Sequence, residues 1–370
     1  MELYIGIMSG TSMDGVDAVV VDFGKEQINS VQMNSMDFPE DLKADLTGLI
    51  NGYHTNIEKI GEIDHRLALC YAEAVQQLIR KAGIEKERIA AIGCHGQTMF
   101  HAPVSRYPFT MQLGDGNLLA SKTGIPTVAD FRRMDMAFGG QGAPLVPAFH
   151  QAFFHSEQEK RVILNLGGIA NITILADDDE KVLGFDTGPA NCLMDSWIQR
   201  VKGEKFDRNG DWAASGKVIP ALLDEMLGDN YFSLPAPKST GRELFHPEWI
   251  KKHLNTTKEF KNEDVQATLL ELTAVSVAEA VQKYAPETEA MYVCGGGAFN
   301  TYLMKRLETH LSNVRVAGTD DIGMPPQQVE AIAFAWLAMR RVKNLPGNLP
   351  QVTGARKKVL LGTIYDPKTF

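Results

Sequence analysis

The feature that most constrains this chain is a pattern that occurs twice. Near residue 5 a short apolar run (Leu3 to Ile7) is followed by the turn residues Ser9-Gly10-Thr11-Ser12 and a second run (Val16 to Phe23). Near residue 165 the order returns: Val162 to Leu166, the turn Gly167-Gly168, Ala170 to Leu175, and then Val182 to Phe185 leading into Asp186-Thr187-Gly188-Pro189. Apolar runs bounded by turn residues read as strands joined in hairpins. A unit used twice predicts two related α/β domains rather than one continuous core. With 370 residues the chain is long enough for both.

Helical segments fill the intervals. Ile60, Ile63, Leu67, Cys70, Ala74 and Leu78 keep a helical period through 57–82, and Leu269, Leu272, Val275 and Val281 do so after Asp264. Ile89 to Cys94 and Met291 to Cys294 read as buried strands, Val329 to Val342 as an apolar helix, and Val359 to Ile364 as a final strand. The break Gly139-Gly140-Gln141-Gly142-Ala143-Pro144 divides the chain. The expected domains are 1–133 with about 340–370, and 134–339.

Charge and cysteine content narrow the partners. A net charge of −9 argues against duplex nucleic acid, which selects basic patches. The apolar stretches fall short of the roughly 18 residues of a membrane span. The first residues, MELYIGIMSG, lack the basic start and long apolar stretch of a signal peptide. Cys70, Cys94, Cys192 and Cys294 are scattered, without a zinc spacing. A cytoplasmic protein acting on small molecules is the expectation.

The strongest chemical signal is Gly10-Thr11-Ser12-Met13-Asp14-Gly15-Val16-Asp17. Small residues let backbone N–H groups approach an anion, hydroxyls add donors, and Asp14 could hold Mg²⁺ through water. The same residues also make an ordinary hairpin turn. No phosphate-binding P-loop is present: Gly210 to Val218 has five residues between its glycines and Val after Lys217. Gly167-Gly168 and Gly295-Gly296-Gly297 follow strands, where close ligand approach and tight packing both call for glycine. Asp186 after its strand suits a general base, or an aspartate bonded to its own turn. His95 and His101 fit no common metal spacing and read as loop-shaping; Asp130-Phe131-Arg132-Arg133 suits a polar ligand or a plain surface; Glu330 suits a helix N-terminus.

Taken together, IMSGTSMDGVD (7–17), HGQT (95–98), GIPTVADFR (124–132), GGQGAPLVPAFH (139–150), NLGGIANIT (165–173), GFDTGPAN (184–191), DVQATLLELTA (264–274), CGGGAFN (294–300) and PGNLPQVTGA (346–355) resemble the anhydro-N-acetylmuramic acid kinase family over nearly the whole length. The resemblance implies two related actin-like (ribonuclease H-like) α/β domains flanking an interdomain cleft. It implies ATP, Mg²⁺ and an anhydro amino sugar as ligands, with neither nucleic acid nor membrane as partner and a homodimer allowed. It also implies an ATP phosphate loop at Gly10 to Asp17, Asp186 as catalytic base, phosphate and adenosine contacts at Gly167-Gly168 and Gly295-Gly296-Gly297, and sugar contacts at Gln97, Asp130, Arg133 and Glu330. Two other classes compete. A non-catalytic sugar sensor of the same fold would carry an added DNA-binding helix-turn-helix, and a glycoside hydrolase would use paired carboxylates but leave the phosphate loop without a purpose.

Overall fold

The computed structural model describes residues 2–10, 15–24, 28–50, 54–241, 243–254 and 260–368. The chain forms two compact units, Met1–Phe149 with Gln328–Phe370, and His150–Gln327.

In the first unit the sheet is built on β1 (Leu3–Met8), β2 (Gly15–Phe23), β3 (Ile28–Asp37), β4 (Ile89–Cys94) and β5 (Thr127–Ala129), with Thr363–Tyr365 added beside β5. The order is β3-β2-β1-β4-β5; β1–β2 and β2–β3 are antiparallel, β1–β4 and β4–β5 parallel. In the second unit the strands are β6 (Arg161–Leu166), β7 (Ile169–Ile174), β8 (Leu183–Pro189), β9 (Ala290–Cys294) and β10 (Arg315–Gly318). Their order is β8-β7-β6-β9-β10, again with two antiparallel pairs followed by two parallel ones. The echo in the sequence is therefore one topology used twice, the arrangement expected of ribonuclease H-like domains.

Three helices organise the cores: α1 (Ile57–Ala82), α2 (Asn262–Tyr284) and α3 (Val329–Val342). Asn56 caps α1 by accepting from the Lys59 N–H, and Gly83 ends it in a left-handed conformation. Its face of Ile63, Leu67, Tyr71 and Leu78 packs with Ile5 and Ile7 on one side of the first sheet. Side chains alternate along a strand, so Gly6 looks to the other side. There α3 lies against β1 and β4, where an added Cβ at Gly6 would sit 1.7 Å from the Ala331 carbonyl oxygen. This packing explains a departure from the expected boundaries. Residues 134–149 and 328–339, with Glu330 among them, belong to the first unit, not to a second domain spanning 134–339.

The motifs GGQGAP and PGNLPQVTGA meet at one buried carboxylate. Asp135 accepts from Gly142 N at 2.8 Å, Asn348 Nδ2 at 2.8 Å and Thr353 Oγ1 at 2.7 Å. An added Cβ at Gly140 would lie 2.1 Å from its Oδ2. A buried carboxylate is tolerated when bonded this fully, so these motifs serve the fold of the first unit. Two sequence expectations change: Val359 to Ile364 narrows to Thr363–Tyr365, and Asp186-Thr187-Gly188-Pro189 is not a loop but the end of β8.

Candidate active site

In the first unit β1 and β2 are in register from Leu3 opposite Asp22 to Met8 opposite Asp17, which fixes the ends of the turn between them. Thr11, Ser12, Met13 and Asp14 lie outside the described residues. Ser9 Oγ is 3.0 Å from the hydroxyl of Tyr71, and Gln97 donates from Nε2 to the Gly10 carbonyl at 3.4 Å. Gly15 packs tightly, since its Cβ would meet the Met36 carbonyl oxygen at 2.2 Å, and Val16 is buried. Asp17 accepts a 2.6 Å bond from Ser35; burial pushes its carboxyl up and that bond opposes the push.

The first unit also holds a polar cavity of about 190 Å³, lined by Asp64, His95, Gly114, Asp115, Asp130 and Arg133 among others. Asp130 holds a left-handed backbone (φ 59°) and pairs with Arg133, whose Nε is 3.1 Å from Oδ1. Burial raises the Asp130 carboxyl against the pull of Arg133. Asp64 accepts from Gly114 N at 2.6 Å, and burial raises it too. Arg132 is half-buried; burial lowers its guanidinium to about 10, against the charges of Glu330 and Asp135. Thus Gln97, Asp130, Arg133 and Glu330 fall in one unit; Asp130 and Arg133 line the cavity, while Gln97 and Glu330 are not among its lining residues. His95, read from the sequence as loop-shaping, also lines the cavity, as do Asp64 and Asp115, which no local pattern announced.

In the second unit the five glycines divide by what surrounds them. Gly295 has φ 81°, and its Cβ would lie 2.5 Å from Asn165 Oδ1 and 2.8 Å from the Leu166 oxygen. Gly297 would meet Leu166 Cβ at 2.5 Å. These two serve the packing of β9 against β6. Gly167 and Gly296 differ: the nearest neighbours of an added Cβ would be the Ile169 oxygen at 3.8 Å and Asn191 Nδ2 at 3.9 Å, ordinary contacts that require nothing to move. Gly168 accepts from Ala190 N and Cys192 N at 3.0 and 3.1 Å, fastening the turn to the start of the helix Asn191–Lys202. Beyond Gly297 opens a cavity of about 440 Å³ lined by Ala298, Phe299, Gly318, Asp320, Pro326 and Gln327. The half-exposed Phe299 offers a ring face for a flat ligand.

Asp186 sits on β8, where pairing with β7 shifts register between Asp186 and Gly188. Such a bulge re-aims a side chain. Its Oδ2 accepts from Ser239 Oγ at 3.0 Å and Thr240 N at 2.9 Å, while Tyr231 donates to its backbone carbonyl at 2.7 Å. The carboxyl is therefore held by a distant segment, not by its own turn. Burial raises it to about 6, with the bonds from Thr240 and Ser239 opposing and Glu243 adding a smaller push upward. A fixed carboxylate that titrates near neutrality is what general-base work requires.

Among the described residues no three His, Cys, Asp or Glu side chains gather to hold a metal, and no helix is long and apolar enough to cross a membrane. The family model for anhydro-N-acetylmuramic acid kinase matches residues 2–367. A relative of that name from Aliivibrio fischeri is 52% identical over 368 residues, 99% of each chain. One from Pasteurella multocida is 51% identical over 363 residues, 98% of this chain and 96% of its own. Another from Shewanella oneidensis is 51% identical over 365 residues, 99% of each.

Proposed function

The chain belongs to the anhydro-N-acetylmuramic acid kinase family, and from that premise we infer that it uses ATP to open 1,6-anhydro-N-acetylmuramic acid and phosphorylate O6, giving N-acetylmuramic acid 6-phosphate in peptidoglycan recycling. The observation that carries the chemistry is Asp186, a half-buried carboxylate anchored through one oxygen and titrating near neutrality.

Transfer of a phosphoryl group calls for positioning and charge neutralisation rather than a covalent intermediate. In this substrate O6 is tied to C1 as an ether, so it cannot simply be deprotonated. Water adds to C1 and gives its proton to the Asp186 carboxylate. The C1–O6 bond breaks, O6 bonds to the γ-phosphorus, and the bond to the ADP oxygen breaks. Ser239 and Thr240 hold the carboxylate through Oδ2, which keeps the aim of the base fixed. Gln97, Asp130, Arg133 and Glu330 are assigned to the sugar. Gly10 to Asp17, with Gly167, Gly168, Gly295, Gly296 and Gly297, is assigned to the nucleotide, and Phe299 extends that set toward the base. Bound Mg²⁺ would neutralise phosphate charge; its assigned partner Asp14 lies outside the described residues, and those described provide no protein cage for the ion. The enzyme is placed in the cytoplasm, where ATP is available.

The test is ADP release with the anhydro sugar in ¹⁸O-water. Label should appear at C1 and be absent from the phosphate ester. Free N-acetylmuramic acid accumulating before ADP, or label at O6, would refute coupled opening and transfer. A second expectation concerns Gly167, where an added Cβ would make only an ordinary contact. Gly167→Val should leave the melting temperature nearly unchanged and raise the KM for ATP about tenfold or more, because a branched side chain blocks approach of phosphate to the backbone. The KM for sugar should stay constant; equal losses for both ligands would mean the turn is misassigned.

A further inference from the structure

His95 is 5% exposed, lines the polar cavity of the first unit, and its Nδ1 has no hydrogen-bond partner among the described residues. Its other nitrogen is fully engaged. Arg132 reaches Nε2 from Nε at 3.1 Å and from Nη2 at 2.7 Å, while its Nη1 donates to the Gly142 carbonyl at 2.8 Å. A guanidinium has donors only. Nε2 must therefore accept, and the single proton of the neutral ring resides on Nδ1. Burial, and then the Arg132 charge, hold the ring well below the usual histidine range, so a second proton is disfavoured; the Gly96 backbone opposes this weakly. The result is a buried N–H donor with a fixed direction and no hydrogen-bond acceptor among the described residues. Buried donors are rarely left in that condition.

The surrounding wall indicates what the donor meets. Asp64, Asp115 and Asp130 supply carboxylate oxygens, and Arg133 supplies one guanidinium. Asp64 uses Oδ1 to accept from Gly114, and Asp115 uses Oδ1 for the N–H groups of Asn117 and Leu118. A wall with more carboxylates than cations repels an anionic group. It suits hydroxyl groups, which give a hydrogen to a carboxylate and accept one from an N–H. We propose that His95, locked by Arg132 as the Nδ1–H tautomer, donates a hydrogen bond to an uncharged oxygen of the sugar, a hydroxyl or an amide carbonyl, and so takes part in selecting the substrate. This rests on the assignment of the cavity to the sugar.

The experiment uses the full chain labelled with ¹⁵N-histidine and 1,6-anhydro-N-acetylmuramic acid added without nucleotide. The His95 ring should show the Nδ1–H tautomer from pH 5 to 8, and its Nδ1 proton should move downfield on sugar addition. An Nε2–H tautomer, or a resonance that does not move, overturns the proposal. Two variants then separate binding from packing. His95→Gln keeps an acceptor for Arg132 but removes the donor, and should raise the sugar KM about fivefold to tenfold with the ATP KM and kcat within about twofold. His95→Asn places an amide N–H near the Nδ1 position and should recover most of that loss. Equal impairment in both variants would make His95 a packing residue and overturn the proposal. Asp130→Asn serves as the reference for the cavity. If it raises the sugar KM and His95→Gln does not, the role of His95 fails alone; if neither does, the cavity assignment fails with it. Should the variants not fold, the spectra of the unaltered protein decide.

Discussion

Asp186→Asn should lower kcat by roughly 10²–10⁴, the usual contribution of general-base assistance, while both ligands still bind. Asparagine retains an oxygen that can accept from Ser239 and Thr240, so the geometry at β8 has no reason to change. The pH dependence gives a second readout. With the Asp186 carboxyl raised to about 6, the base form is lost as pH falls through that value. The unaltered enzyme should show kcat rising with pH through a midpoint near 6 before it levels off, and the variant should lack that limb. Stability should move the other way. Burial penalises the ionised carboxyl, so stability present below the unfolded value of 3.8 is lost as pH rises through about 6. The Asn variant should therefore melt higher than the parent at pH 8, and the difference should vanish near pH 3.5. A folded variant with near-normal kcat would remove Asp186 from the mechanism.

How much of this was legible in the sequence depended on distance along the chain. Hairpins and amphipathic helices are local, and Ile57–Ala82 has the extent that its apolar period announced. Strand β3, INSVQMNSMD, was missed because it lies at the sheet edge and carries polar residues at most positions, leaving no apolar run to read. Asp186 was recognisable as a candidate, but its loop was in fact a strand. Thr187, Gly188 and Pro189 imitate turn chemistry, while the anchors at Ser239 and Thr240 stand more than fifty residues away. The tautomer of His95 depends on Arg132, 37 residues on. Asp135 is satisfied by Asn348 and Thr353, 213 and 218 residues away. No periodicity encodes such pairings. The domain boundary failed for a related reason: an apolar helix such as α3 does not say which sheet it covers.

What decides that question can be tested with a single methyl group. Gly6 and Gly93 stand opposite each other in the parallel pair β1–β4. A Cβ on Gly6 would fall 1.7 Å from the Ala331 oxygen, and one on Gly93 would fall 2.0 Å from the Phe334 oxygen. Both obstructions are helix backbone, so no rotamer change relieves them, and α3 would have to lift off the sheet. Gly93→Ala should cost at least about 3 kcal/mol, the upper end of the usual overpacking range. For a unit of this size that lowers its melting temperature by roughly 6–12 °C. Lifting α3 also moves Glu330, so any folded fraction should bind sugar more weakly than nucleotide. Gly61 supplies the control, because it lies inside α1, is exposed, and its Cβ would meet nothing within 4 Å. Gly61→Ala should raise stability by roughly 0.5–1 kcal/mol through the helix preference for alanine. The same added methyl thus has opposite signs at two glycines, and equal effects at both would mean that α3 does not rest on Gly6 and Gly93.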